Sequence, residues 1–500
     1  MQSALRGPAR DAYLRSDPSR FARSTGPRGV PPVPPSLLSP TAVRNAVVVG
    51  AGPCGLLAAL ELVQNGASVT LVEQRDAYTR PIHWNVRADL LHRIAETCPA
   101  ILPRVLERLG AMESVERIDA TQTDVSDDKL AAMREEKPNR RVSLDGSGLR
   151  YQQKGSGAPA PDAQRARFGG RQMLVSPSIG QILTTDLENI LFEEVQRLSK
   201  LPKGDHPSVT ILRNHRCDLT DSRDKPGWSA CNVYEVAERV AADGKVTFPA
   251  TGKRFSLGTP DLIVNCDGAN SVMREQAGIP RTHVSQATRF IAASIAATEI
   301  TEHAPHGGVA RRRYAELTNP KDGSLHGVRQ VVLGSTTTPR LWVLVEVPLF
   351  VDLGNKEAVA NYFHHHAALV VGRPLLDARI TWGPNAFTMQ QFISASAVKG
   401  ENVIFAGDAV GNAHFLTSGG VMTATVPHVF ALEKLLANLA DGVPRTRALD
   451  RYNKWTLMAT KAWLKLGFKE FGRQGEHGDT FEAAMADALE RLRTAGGAGR

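Results

Sequence analysis

Three glycines set the first chemical expectation. Gly50, Gly52 and Gly55 stand in the run AVVVGAGPCG, directly after the apolar stretch Ala46 to Val49. At this spacing the first glycine permits a tight turn and the second lets a pyrophosphate approach the backbone. The third lets a helix pack closely on a strand. Unpaired N–H groups at the start of that helix then meet the diphosphate. Glu73 ends the next apolar run, Val69 to Val72, where a carboxylate accepts from both hydroxyls of an adenosine ribose. Fingerprint, helix, second strand and terminal acid agree on an adenine dinucleotide site, without yet separating FAD from NAD(P).

The elements that must hold these residues are legible around them. Ala46 to Val49 reads as a parallel strand buried on both faces, Leu56 to Val63 as a helix stopped by Gly66, and Val69 to Val72 as the next strand. Helices follow through Leu90, Leu91 and Ile94 and over Ile101 to Leu109. Val142 to Leu144 and Leu149 to Gln152 suit a hairpin, and GSGAPAPDAQRARFGG reads as a lid or a solvated loop. Ser176–Pro177–Ser178 predicts a helix start, which places Gln181 in the first turn and an apolar stripe from Ile182 to Val195 behind it. Strands are expected over Val209 to Leu212, Val233 to Val240, Val246 to Phe248 and Leu262 to Val264. From about Thr282 to Lys399 the chain changes to β-forming segments around Phe290, Val309, Val328, Leu341 and Phe387 to Ser394, interrupted by a helix near Lys356 to Val370. That pattern predicts an antiparallel sheet with one covered face, inserted into the first domain. Val403 to Ala406 returns to the first domain, Gly419–Gly420 opens a helix over Val421 to Leu436, and helical blocks cover Tyr452 to Phe471 and Phe481 to Leu492.

Composition narrows the class. A chain of 500 residues exceeds one compact core, and 42% apolar with 22% charged residues suits a globular protein. The formal charge of +9 helps attract an anionic substrate or cofactor. No aromatic-interleaved basic stripe accompanies it, so nucleic acid is not expected. Cys54, Cys98, Cys217, Cys231 and Cys266 are scattered and lack metal-ligand spacing, which fits a reducing, cytoplasmic setting. His364, His365 and His366 point in different directions on one helix, and no metal site is expected. No apolar run of roughly 18 residues occurs, so neither an ordinary secretory signal nor a membrane span is expected. Residues 1–44 hold seven arginines and eight prolines and read as a disordered basic arm.

Three separated segments carry a family resemblance. They are GAGPCG with Glu73–Gln74–Arg75, the DG element CDGANSVMR from Cys266 to Arg274, and the GD element GDAVGNAHFLTSGG from Gly407 to Gly420. Together they resemble the FAD-dependent aromatic hydroxylases of the para-hydroxybenzoate hydroxylase type. The first segment, HWNVR included, also resembles the monooxygenase domain of the MICAL proteins, although no calponin-like or LIM module accompanies it. The resemblance implies an α/β fold: a Rossmann-like FAD-binding domain with an inserted antiparallel β-sheet substrate domain and C-terminal helices. The expected division is an arm over 1–44, FAD-binding parts over 45–281 and 400–440, the substrate domain over 282–399 and a helical region over 441–500.

The resemblance also implies roles. FAD would be held by Gly50, Gly52, Gly55, Glu73, Arg75, Arg87, Gln181, Asp267, Asp408 and Gly420, with Asp408 on the ribityl chain and the helix from Gly420 aimed at the flavin. NADPH or NADH would serve as transient reductant and molecular oxygen as co-substrate. A C4a-(hydro)peroxyflavin would then hydroxylate or epoxidise an aromatic or polycyclic small molecule. His83, Asn85 and His414 are the catalytic candidates, a histidine being able to take a substrate proton near neutral pH. Tyr314, Trp342 and Phe392 could supply an aromatic wall. The third segment departs from the family, with Gly411 and His414–Phe415 where a histidine and a proline turn are usual, so the substrate stays unnamed. A halogenase or prenyl-chain reductase shares the scaffold; the Trp-x-Trp-x-Ile-Pro segment of halogenases is missing. A noncatalytic FAD-binding protein is the remaining alternative, and homo-oligomer formation is left open.

Overall fold

The computed structural model describes residues 43–79, 82–111, 116–119, 140–145, 148–153, 165–168, 171–174, 178–202, 207–241, 246–285, 287–296, 310–318, 321–323, 325–335, 338–371, 379–414, 419–471, 485–486 and 490–491. The N-terminal arm, most of the loose segment before residue 171, Phe415 and most of the last helical block lie outside them.

Strand β1 (Asn45–Val49) is buried from Ala46 onward, as a strand covered on both faces must be. Helix α1 (Pro53–Gln64) follows, with Pro53 at a first-turn position where its missing N–H costs nothing. The helix is buried from Cys54 to Val63 and ends before Gly66, whose φ of +85° reverses the chain into β2 (Ser68–Glu73). Next come β3 (His83–Arg87), α2 (Ala88–Thr97), β4 (Ser178–Leu183), α3 (Thr184–Ser199), β5 (Val209–Arg213) and β6 (Leu262–Asn265). The inserted region holds β7 (Thr288–Ala296), β8 (Ala310–Thr318), β9 (Leu325–Ser335), β10 (Thr338–Val347), α4 (Lys356–Val371) and β11 (Ile380–Met389). The chain closes with β12 (Val403–Phe405), α5 (Gly419–Thr425), α6 (Pro427–Ala440) and α7 (Arg445–Phe471).

The first sheet runs β5-β2-β1-β6-β12, with Val398–Lys399 at its edge. The first five strands are parallel and the edge strand is antiparallel. Strand order reverses between β1 and β6, which opens a crevice at the carboxyl ends of the strands. Gly50, Cys266–Asp267 and Gly407 leave the sheet side by side at that crevice, although far apart in sequence. Each fully buried Val, Leu or Ile of these strands contributes about 1.5–3 kcal/mol to holding them there.

The second large sheet has the order β11-β7-β10-β9-β8 and then Glu116–Asp119. It departs from expectation in two respects. Glu116–Asp119 pairs parallel with β8, so the first half of the chain lends the inserted sheet its edge strand. Both faces are covered, not one. Ile291, Ala293, Ile295, Val343 and Val345 meet Val359, Phe363 and Ala367 of α4. Phe290, Ala292, Trp342 and Leu344 form the opposite face, against which Ile82 from the dinucleotide half packs. Hence β10 is buried from Leu341 to Val347 without alternation.

Other expectations are corrected in detail. Ser178–Leu183 is a strand paired with β3, and the helix begins at Thr184; sheet pairing overrides the helical periodicity of Ile182 and Leu183. Phe387 to Ser394 divides between β11 and Phe392–Ser394, which joins a small sheet with Arg281–His283 and Gly411–Asn412. The helix expected over Val421 to Leu436 breaks into α5 and α6, because Pro427 cannot continue it. The hairpin Arg140–Asp145 with Gly148–Gln153 forms as read.

Candidate FAD and substrate site

The fingerprint turn is built by close approach. Gly50 has φ +94°, and a Cβ there would lie 2.4 Å from the Cys266 carbonyl oxygen. A Cβ on Gly55 would lie 1.8 Å from the Gly50 oxygen, so helix and strand meet at a distance that a side chain forbids. Gly52 differs: nothing lies within 4 Å of a Cβ built on it. That open space at a helix start is where a pyrophosphate needs room. Glu73 is buried, its Oε2 accepting from the Ala51 N–H at 2.6 Å and its Oε1 from the Arg75 N–H at 2.9 Å. Each carboxylate oxygen has a second lone pair for a ribose hydroxyl. The Arg75 side chain itself lies over the Phe248 ring, 5.7 Å from the centroid.

The second segment is ordered by its own polar groups. Asn265 Nδ2 donates to Asp267 Oδ1 at 2.8 Å and to Ser271 Oγ at 2.9 Å, and Ser271 caps the short helix Val272–Gln276 by accepting from the Arg274 N–H. Burial pushes the Asp267 carboxyl upward against these hydrogen bonds, which favour the anion. Buried Arg274 donates to the carbonyls of Ala269 and Ala409 and so fastens the second segment to the third.

The third segment holds Asp408 in a single turn of 3₁₀ helix, Gly407–Ala409. A Cβ on Gly420 would approach Asp408 Oδ1 to 2.9 Å, so glycine is what lets that carboxylate lie beside the start of α5. His428 was not foreseen. It is fully buried; Nδ1 accepts from the Gly407 N–H at 2.9 Å, which leaves the proton on Nε2, 3.1 Å from Thr460 Oγ1. Burial lowers its pKa to about 3. Nothing in a lone histidine seven residues into a helical run signals this role. Tyr78 was missed too: its hydroxyl donates to the Ala51 carbonyl at 2.7 Å, and Arg213, opposite Glu73 in the sheet, covers Tyr78 and Phe192.

The remaining expected residues gather on β3 and β4. Gln181 is opposite Asn85 and donates to Asn85 Oδ1 at 3.2 Å, while its own Oε1 is buried without a partner. Arg87 stacks over Trp463 of α7 at 5.3 Å. His83 is 2% exposed and neither ring nitrogen has a hydrogen-bond partner. Burial, aided by Arg340, lowers its pKa to about 4. His83 is therefore neutral near pH 7, with a free lone pair but a weaker base than an exposed histidine. His414 lies elsewhere: its backbone N–H donates to Gln391 Oε1 at 3.2 Å, and its ring meets Phe290 edge-to-face at 6.1 Å. Phe290 in turn stacks on Phe387 at 5.8 Å, with Trp342 on the same face. Phe392 packs instead against Arg274 and Arg281 behind the second segment, and the side chain of Tyr314 lies outside the described residues. A surface cleft of about 240 Å³ between Leu102–Arg108 and α3 is lined by Arg104, Glu107, Asp186 and Glu193 and includes none of these groups.

The open step at Gly52, the carboxylate at Glu73 and the Asp408–Gly420 arrangement are groups that would suit FAD. The FAD binding domain family matches residues 44–137 and 183–465, which include all three segments. The chain belongs to this family. Among solved structures, p-nitrophenol 4-monooxygenase PnpA from Pseudomonas putida DLL-E4 is similar with a TM-score of 0.55 at 16% identity, over 90% of this chain and 98% of that one. The flavin-dependent monooxygenase PieE gives 0.55 at 17% identity, over 91% and 72%. The flavin-dependent brominase Bmp2 gives 0.56 at 12% identity, over 90% and 92%. The shared property is the fold, which serves oxygenating and halogenating enzymes alike. No curated protein sequence matches the chain. Among the described residues, no helix is long and apolar enough to cross a membrane.

Proposed function

We propose that this protein is an FAD-dependent monooxygenase that uses NADPH or NADH and molecular oxygen to hydroxylate or epoxidise an aromatic or polycyclic small molecule. The observation that carries the reading is the meeting of His414 with Phe290. It brings the aromatic face of the inserted sheet, Phe290, Phe387 and Trp342, against the third cofactor segment. An aromatic substrate is favoured by such a wall, where ring–ring contacts add about 0.5–1.5 kcal/mol to area burial.

In this reading Gly50, Gly52, Gly55 and Glu73 hold the ADP half, Asp267 lies at the pyrophosphate and Asp408 at the ribityl chain. Gly420 keeps the approach to Asp408 open, Arg87 and Gln181 orient the ring system, and Arg75 braces the Glu73 turn. The chemistry that FAD supplies when bound is hydride acceptance from the nicotinamide and activation of oxygen. The apolar wall excludes water from the reacting centre. Neutral His83 and Asn85 would offer hydrogen bonds to a polar substituent, and His414 would take a proton from the substrate and raise its electron density. The missing Trp-x-Trp-x-Ile-Pro segment argues for oxygenation over halogenation. An aerobic screen of phenolic and polycyclic compounds with each nicotinamide, reading oxygen uptake and product mass, tests the proposal. Halide incorporation or double-bond reduction in place of oxygen gain would reject it.

A further inference from the structure

All three cofactor segments meet at one pair of sulfur atoms. Cys54 lies in the first turn of α1, inside the glycine fingerprint, and Cys266 directly precedes Asp267. Their sulfurs are 3.6 Å apart, with the Cys266 thiol donating to Cys54. The Cys54 thiol in turn donates to the Ala424 carbonyl of α5 at 3.3 Å, and a Cβ on Gly407 would lie 3.4 Å from Cys54 Sγ. The two residues share an apolar cluster with Ala406 and Ala424, in which Cys266 is half-buried. Contact with both sulfurs is therefore part of how segments separated by more than 200 residues are registered.

We propose that Cys54 and Cys266 are an oxidisable pair, converted by hydrogen peroxide to a disulfide that weakens FAD binding. The proposal rests on the FAD fold and not on the oxygenation reading. Cys54 is the attacking sulfur. It sits at the N-terminal end of a 12-residue helix and accepts from the Cys266 thiol, whose sulfur is 3.6 Å away. Cys266, as the donor, stays protonated, and its pKa is raised by that hydrogen bond and by burial. The Cys54 thiolate attacks one peroxide oxygen, the O–O bond breaks, and the departing hydroxide takes a proton to leave as water. The Cys266 sulfur then attacks the sulfur of the sulfenic acid formed at Cys54, the S–O bond breaks, and the displaced hydroxyl takes the Cys266 thiol proton to leave as a second water. In sum two thiols and one peroxide give one disulfide and two waters, the thiols losing two electrons and the peroxide gaining them.

A disulfide requires the sulfurs to close from 3.6 Å to about 2.05 Å, which pulls the fingerprint turn toward the DG turn. It also removes the thiol hydrogen that Ala424 accepts. Both changes disturb the surfaces that must meet the dinucleotide together. Cys217 and Cys231, neighbours across an antiparallel pair, serve as an internal control.

The test uses the full chain, reduced and then titrated with hydrogen peroxide. Peptide mass spectrometry without reductant reads the crosslink, and flavin fluorescence reads the FAD dissociation constant. Expected are a crosslink between the Cys54 and Cys266 peptides, an FAD affinity reduced at least tenfold, and full recovery with dithiothreitol. C54S and C266S each lose the crosslink and the peroxide sensitivity of FAD binding; the two variants guard against one of them failing to fold. A Cys217–Cys231 crosslink in its place, no crosslink, or a Cys54–Cys266 crosslink with unchanged FAD affinity would each overturn the proposal.

Discussion

His428 offers a test of how the GD element is held, because its contribution has both a magnitude and a pH signature. In His428→Leu the side-chain volume is nearly kept, but the Gly407 N–H loses its acceptor. A buried donor left without a partner costs about 1–3 kcal/mol, so the variant is expected to be less stable by that amount at pH 7. The wild-type histidine titrates near 6.5 when unfolded and at about 3 when folded. Between those values the unfolded chain binds a proton that the native chain refuses. Its stabilising contribution is therefore complete above the unfolded pKa and falls as pH drops through 6.5, by about 1.4 kcal/mol per unit. From pH 7 to 5 this removes about 2 kcal/mol from wild type and nothing from the variant. Urea unfolding of both proteins without FAD, at the two pH values, should show the gap closing to within about 1 kcal/mol or reversing. His83 titrates in both proteins and cancels. A gap of equal size at pH 7 and pH 5 would refute the buried-acceptor account.

Other outcomes follow from the same geometry. Gly52→Ala should leave the urea midpoint of FAD-free protein nearly unchanged, because nothing opposes the new methyl, while weakening FAD binding at least tenfold. Gly55→Ala should instead prevent stable folding, since its Cβ would overlap the Gly50 oxygen; soluble, folded protein with native circular dichroism would contradict this. Glu61 is buried beside Glu433, and burial first, then that neighbour, raises its pKa. Its destabilising effect grows as pH rises above 4.5, so Glu61→Gln should raise the melting temperature at pH 7 and gain nothing at pH 4. Arg274→Met should loosen the second segment from the third, seen as faster FAD release with little change in the unfolding midpoint.

The sequence disclosed the parallel core and its ligand well, because buried strands and glycine spacing are local signals. Ala46–Val49, Leu262–Val264 and Val403–Ala406 each read as an apolar run followed by a special turn, and each supplies a strand of the parallel sheet, the third ending at Phe405. Gln181 was expected in the first turn of a helix and lies on a strand: that strand exists through pairing with His83–Arg87, about a hundred residues away, and no local period reports that. The same holds for Glu116–Asp119, which is a strand because β8 lies beside it. His428 and Tyr78 act on backbone groups of distant segments and look like ordinary core positions in sequence. His83 shows the limit from the other side. Its residue type suggests proton transfer, and burial against the inserted sheet lowers its pKa to about 4, a property that depends on surroundings and not on spacing.

The measurement closest to the central claim is the mass of the product formed from an accepted aromatic substrate under oxygen-18 gas, with reduced nicotinamide present. One labelled oxygen atom in the product, absent when the label is supplied as water, is the predicted result. A product without oxygen from the gas, or one carrying halide under the same conditions, would contradict it.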